Sequence, residues 1–203
     1  QGNVPGGFDN DGFMNESLPE VVLTPSTPYD CKVYSGPNLV GQISWTPGQG
    51  SSAGTLIVNG VVFFDGPVKL QNNANAVYQG RGVIYATGRI LISNNAKLCG
   101  ISGCTTGWNP NLNMLVLVAG TSTADEGFEV RNNARFQGGA YVVDDFKEWN
   151  NASVTGPIIA RRIIVRNNAV HRFVPFGSLL PGMPASSTTA TALENVETSY
   201  TSS

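Results

Sequence analysis

Apolar residues in this chain fall into short runs separated by polar corners, as in Ile90-Leu91-Ile92, Tyr141-Val142-Val143, Ile158-Ile159-Ala160 and Ile163-Ile164-Val165. Runs this short, closed by Asn, Gly or charged residues, predict strands rather than helices. One corner recurs. The tripeptide Asn-Asn-Ala begins at Asn72, Asn94, Asn132, Asn150 and Asn167, in steps of 22, 38, 18 and 17 residues, the long step spanning about two of the others. Three copies continue as Ala, any residue, an apolar residue, any residue and Gly: Ala96 to Gly100, Ala134 to Gly138 and Ala152 to Gly156. Self-similarity of this kind is the mark of a solenoid.

Each repeat holds short strands between corners, which predicts an all-β fold: a single-stranded parallel β-helix whose coils stack at the interstrand spacing of about 4.8 Å. Asn suits the corners because it enters the left-handed backbone region at little cost and its amides can bond up a column. The Ala that follows is small enough to point into the narrow part of the tube. We assign residues 54–176 to the β-helix, 1–53 to an irregular N-terminal capping segment rich in Pro and Gly, and 177–203 to a polar, Ser/Thr-rich C-terminal tail. Within the cap only Glu20-Val21-Val22-Leu23 and Lys32-Val33-Tyr34 read as strands. A cap is expected because the ends of a β-helix are open sheet edges. In the double-length step, an insertion from Ile101 to Asn113 precedes the apolar run Met114 to Gly120. Its Trp108 and Asn109 make it the candidate binding loop, since loops on rigid scaffolds are the usual seat of binding.

Composition narrows the function. The 203 residues include only 13% charged side chains, with 24 Gly, 12 Pro, one His and a net charge of −2. This excludes coiled coils and long amphipathic helices and argues against nucleic acid as a partner. His171 is the only His and sits where the repeat is ending, so a Ser or Cys nucleophile with a His base is not expected. No run approaches the roughly 18 apolar residues that read as a membrane span. The chain opens with Gln1, from which we expect a processed or trimmed polypeptide. Cys99 and Cys104 bracket a short flexible stretch and are candidates for a disulfide, with Cys31 left over. A bridge there would point to an oxidising location, extracellular or at the cell surface.

Two clusters are candidates for chemistry. Counting back from each Asn-Asn pair stacks Asp144 on Arg161 and Asp145 on Arg162, with Lys147 and Glu148 on the same coil as the aspartates. Such neighbours are expected to form cross-strand ion pairs rather than the two carboxylates of a glycosidase, which must flank a cleft. No catalytic residue is assigned, and no enzyme is expected. Asp9-Asn10-Asp11-Gly12 begins like a calcium loop, with alternate oxygen ligands before a Gly, but Phe13, Leu18 and Pro19 break the ligand pattern. Asp9 and Asp11 are therefore weak metal candidates, and calcium is the only cofactor considered.

The blocks Tyr78 to Gly88, Asn94 to Cys99, Gly107 to Pro110, Leu115 to Gly120 and Gly156 to Ala160 occur in that order. Together they resemble an uncharacterised bacterial domain found in pilus-assembly PilX-like proteins, usually behind an N-terminal membrane helix. The resemblance covers about residues 54 to 185. More distantly, the repeats are similar to bactofilins, polymer-forming β-helices that stack end to end. The resemblance implies a surface-exposed or pilus-associated solenoid and carries no catalytic residues. The expected function is structural: a subunit or domain of a pilus or other surface filament, with an adhesive role. Its expected partners are further copies of itself, other surface proteins or glycans. The alternative is a carbohydrate-binding or carbohydrate-active β-helix, which Trp108, Tyr141 and Trp149 gathered on one solvent-facing side would favour.

Overall fold

A computed structural model describes residues 20–174 except 122, 124 and 125. The calcium candidates Asp9 and Asp11 and the tail 177–203 lie outside the described residues. The chain opens with β1 (Val21–Val22), β2 (Tyr29–Ser35), β3 (Asn38–Thr46) and the long β4 (Gly54–Phe64). There follow β5 (Val68–Lys69), β6 (Asn75–Gln79), β7 (Arg81–Ala86), β8 (Ile90–Ile92), β9 (Lys97–Cys99) and β10 (Met114–Ala119). The last coils comprise β11 (Gly127–Arg131), β12 (Arg135–Gln137), β13 (Gly139–Trp149), β14 (Ser153–Thr155), β15 (Ile158–Val165) and β16 (Val170–Arg172).

These strands stack in three parallel ladders, visited in the same order by every coil. The first face runs from the start of β4 through β6, β9, β12 and β14 to β16. The second runs from the end of β4 through β7, β10 and the first half of β13 to the first half of β15. The third runs from β1 through β5, β8, β11 and the second half of β13 to the second half of β15. The chain is a single-stranded parallel β-solenoid. Asp144 and Asp145 do not interrupt the strand as a separate corner. β13 passes unbroken from the second face to the third, with its pairing to β15 shifting register between Val142 and Asp145.

The corners explain why coils stack in this register. Both residues of the Asn94, Asn132, Asn150 and Asn167 pairs have positive φ, between 52° and 62°. Asn and Gly accept that region where other residues pay about 1–2 kcal/mol. The second Asn then donates its backbone N–H to the carbonyl of the first Asn one coil on, as Asn95 does to Asn132 and Asn133 to Asn150. Side-chain amides repeat the link: Asn94 Nδ2 donates to Asn72 Oδ1 at 3.0 Å, Asn132 to Asn94 at 2.9 Å, Asn150 to Asn132 at 3.0 Å and Asn167 to Asn150 at 3.0 Å. A second ladder joins Asn73, Asn95, Asn133 and Asn151. The following Ala96, Ala134 and Ala152 are buried in the core.

The register also builds the interior as columns. On the third face Val21, Val68, Ile90, Phe128, Phe146 and Ile163 lie one above another. On the first, Ala76, Leu98, Phe136, Val154 and His171 do the same. Phe128 bridges the two, meeting Phe136 and Phe146 edge-on with ring centroids 5.4 and 5.3 Å apart.

The N-terminal cap is more regular than its composition predicts. β2 and β3 form an antiparallel hairpin that continues onto β4, while β1 extends the third face. Only Ile43 and Trp45 of β3 enter the core, alternating with Gln42 and Ser44, so two apolar residues were the whole sequence signal. Two tethers hold the segment between β1 and the hairpin: Trp45 Nε1 donates to the Pro25 carbonyl at 2.7 Å and the Tyr29 hydroxyl to the Leu23 carbonyl at 2.8 Å.

Substitutions at Asn132 separate backbone strain from the ladder. Asn132→Ala loses two side-chain hydrogen bonds and leaves at positive φ a residue without asparagine's local polar compensation, and is expected to cost about 2–3 kcal/mol. Asn132→Gly loses the same bonds without strain and should cost about 1 kcal/mol. Urea denaturation of both variants measures the difference; equal losses would refute the strain component.

Candidate functional site

β13 and β15 bring together the carboxylates and arginines singled out in the sequence. Arg161 Nε donates to Asp144 Oδ1 at 2.6 Å. Arg162 grips Asp145 with both ends of its fork, Nε to Oδ1 at 3.0 Å and Nη2 to Oδ2 at 2.6 Å. Arg161 Nη2 also reaches Asp145 Oδ1 at 3.4 Å. The Asp145 side chain is fully buried, whereas both arginine side chains are more than half exposed. The hydrogen bonds from Arg162 are the chief cause that holds the Asp145 carboxyl below the usual range, against a desolvation effect that raises it. An ionised carboxylate with both oxygens engaged stabilises the turn between faces and is poorly placed to donate or accept a proton in a reaction.

Glu148 is different. It projects into the core between Val130 and Val165 and is fully buried. Its Oε1 accepts the Val154 backbone N–H at 3.0 Å, and its Oε2 faces His171 Nδ1 at 3.4 Å. His171 thus stands at the last position of a core column, half covered, beside a buried carboxylate. Asp65 is a second buried carboxylate, accepting a hydrogen bond at 2.8 Å from Thr87, whose hydroxyl in turn accepts the Gly66 N–H at 2.7 Å. Neither buried pairing was foreseen, although the alternation Phe146, Lys147, Glu148 already put Glu148 on the inward side. Among the described residues no three His, Cys, Asp or Glu side chains come together to hold a metal.

The loop after β9 does not present a binding surface at Trp108. Cys99 and Cys104 are joined by a disulfide across a Cα separation of 5.3 Å, and Cys31 on β2 is a free thiol. Beyond the bridge, Trp108 turns back onto the outer side of the second face, where it is only 7% exposed. It packs with Val83, Met114, Val116 and Val118 in a second apolar cluster outside the tube. Its indole Nε1 donates to the Asn113 carbonyl at 2.9 Å, and Asn113 Oδ1 accepts the Gly80 N–H. Gly100 makes room for this, because a Cβ there would come within 2.4 Å of the indole. Asn109 remains exposed and its side chain closes a local turn onto the Asn111 N–H. The expectation of a loop offering Trp108 to a ligand is therefore corrected: the tryptophan seals β10, whose residues are buried on both sides.

The three aromatics do not share a side. Tyr141 lies outward on the second face in the column Phe63, Tyr85, Val118, Tyr141, Ile159. Trp149 lies on the third face, paired with Arg131. Hollows on that third face include the following. A groove of about 600 Å³ is bordered by Glu20, Lys69, Asn72, Arg89, Asn94 and Arg131. Its cations are met by acids, Lys69 and Arg89 by Glu20 and Arg131 by Glu129 at 3.1 Å. A smaller cavity of about 210 Å³ lies between the last two coils, lined by Lys147, Trp149, Arg162, Ile164 and Arg166.

The last coil ends the stack without a described partner strand on its far side. Ile163 and Val165 continue buried core columns yet are 50% and 45% exposed. Val170 and Phe173 are exposed as well. At the opposite end the β2–β3 hairpin exposes Val33, Tyr34, Leu39 and Val40. Compared with protein-family models, curated proteins and solved structures, the chain has no match in any of the three.

Two variants check these assignments. Asp145 is more acidic folded than unfolded, so its contribution is complete above about pH 3.9 and disappears as pH falls through the lower folded value. Asp145→Ala should lose about 1–3 kcal/mol at pH 7 and show a flatter loss of stability than the parent between about pH 4 and pH 2, measured by thermal melts across that range. Trp108→Ala should cost about 3 kcal/mol in urea denaturation; a loss under 1 kcal/mol would show that the outer cluster is not a packed core.

Proposed function

We propose that this chain is a structural building block of an extracellular or cell-surface filament, pilus-like in the sense that its solenoids join end to end. The observation that carries the reading is the last coil. Ile163 and Val165 point along the core direction and are half exposed, as they would be if another coil normally lay over them. Open sheet edges with apolar cores are templates for pairing, and a solenoid is stabilised by each neighbour it gains. The exposed apolar side chains of the hairpin provide a second surface at the other end.

Charge favours one arrangement. From Gly156 to Val174 the chain carries Arg161, Arg162, Arg166 and Arg172 and no acidic residue. Two such ends face to face would repel, whereas the last coil of one copy can meet the hairpin end of the next. Contacts of this heterologous kind do not close on themselves and generate filaments. The Cys99–Cys104 disulfide supports an oxidising location. The reading assigns no catalysis, because Asp144 and Asp145 are each engaged by arginine. Nor does it rest on an aromatic sugar platform, since Trp108 is buried and Tyr141 and Trp149 lie on different faces.

Sedimentation velocity and electron microscopy of the full chain over a range of concentrations test this. We expect concentration-dependent oligomers or fibres for the parent and a monomer for Ile163→Lys or Val165→Lys, with Asn-ladder stability retained in melts. A parent that stays monomeric at high concentration overturns the reading, as does assembly indifferent to both substitutions.

A further inference from the structure

The outer side of the second face is apolar from the first coil to the last. Its outward column runs Phe63, Tyr85, Val118, Tyr141, Ile159, stacked in register with no charged side chain among them. The insertion before β10 seals only the middle of this face, where Trp108 packs with Val83 and Val116. Beyond that seal Tyr141, Val143 and Ile159 are 49%, 47% and 60% exposed. A continuous apolar strip on a folded surface marks a place where something docks. The chain itself leads onto it. The last strand, β16, belongs to the first face, yet Val174, two residues past its end, packs against the outer cluster of Val83, Trp108, Met114, Val116 and Val118. The chain therefore leaves its final coil over the side of the solenoid.

We propose that the strip is the docking surface for residues 175–184 of this same chain, with Phe176 and Leu179 as anchors. That segment, Pro175-Phe176-Gly177-Ser178-Leu179-Leu180-Pro181-Gly182-Met183-Pro184, holds four large apolar side chains and no charge, and the first charged residue after Arg172 is Glu194. Proline lacks the N–H that a sheet ladder needs, so Pro175, Pro181 and Pro184 suit a segment that lies across a face on its side chains rather than one that adds to an edge. Each also favours extended or polyproline backbone at the residue before it. In polyproline geometry, residues three apart share a side and are separated by about 9.3 Å, against about 9.6 Å for two coils. Phe176 and Leu179 therefore match the column two coils apart. The five-coil strip is about 19 Å long, within the reach of ten residues at about 3.1 Å each. The assignment is independent of end-to-end association, because the strip runs along the side of the solenoid, and a segment seated there makes that side unavailable to other copies.

Limited chymotrypsin digestion of the full chain, at a concentration where it is monomeric, tests this by mass spectrometry, with a synthetic peptide of residues 170–203 as the undocked reference. Cleavage after Phe176 and Leu179 should be about tenfold slower in the chain than in the peptide, while cleavage after Tyr200 runs at the peptide rate. Tyr141→Ser combined with Ile159→Ser leaves both cleavage sites intact and should restore the peptide rate after Phe176 and Leu179. Leu91→Ser, outward on the third face, should not. Reciprocally, in a Cys31→Ser chain the thiol introduced by Tyr141→Cys should react with a maleimide about tenfold faster once Phe176→Ser and Leu179→Ser are added. Peptide-like cleavage after Phe176 and Leu179 in the parent overturns the proposal. So does protection that the Tyr141 and Ile159 substitutions leave unchanged, equal acceleration by Leu91→Ser, or a thiol rate indifferent to the Phe176 and Leu179 substitutions. Protection that is lost on dilution overturns it as well, because the strip would then hold the segment of a second copy.

Discussion

The constraint on which the rest of this structure depends is the left-handed corner at each Asn-Asn pair. Two consecutive residues at positive φ turn the chain sharply from the third face back to the first, and few residue types accept that conformation without strain. Because the same corner recurs directly above itself, each Asn finds its counterpart one coil away and spends both backbone and side-chain groups on it. Alignment of the corners then fixes the register on all three faces. The phenylalanine column, the inward alanines and the pairing of Asp144 and Asp145 with Arg161 and Arg162 all follow from that single vertical alignment.

Vertical alignment also decides where charge is found. All twelve Lys and Arg lie between residues 20 and 174, together with nine of the fourteen Asp and Glu. Of those nine, Asp65, Asp144, Asp145 and Glu148 are buried. Residues 20–174 therefore carry twelve cationic against nine acidic side chains, the opposite sign to the whole-chain net charge of −2. Whole-chain charge averages a basic scaffold with acidic residues elsewhere in the chain. The arginines of the last two coils are where that difference becomes concrete.

Much of the architecture was legible because it is written in repeats. The spacing of Asn-Asn-Ala gave coil boundaries, the following Ala gave an inward position, and counting back from the corners paired Asp145 with Arg162 in the register the strands adopt. What was illegible lacked a repeat. Strand β3 sends only Ile43 and Trp45 into the core, too few to distinguish a strand from a loop among Pro and Gly. Trp108 was misjudged for a different reason. The continuous apolar run of β10 already implied that both of its sides are covered, and the only chain available to cover the outer side was the preceding insertion. The cavity beside Trp149 needed three dimensions, because Lys147 and Arg166 line it from adjacent coils.

The Asn ladder has a consequence for how such a chain can change over generations. Successive corners in the last coils are 18 and 17 residues apart, and each presents the same groups upward and downward. Loss of the segment from Asn132 through Trp149 would join Arg131 directly to Asn150 and leave one Asn-Asn-Ala corner where two had been. Duplication of the same segment would insert a coil just as smoothly. Gain or loss of a single residue within a strand, by contrast, reverses which side chains face inward beyond it, whereas the bend between Val142 and Asp145 already absorbs the one-residue difference between the last two coils. Whole-coil steps thus preserve the corner ladder and the inward columns, so the length of such a solenoid can change without a change in its cross-section.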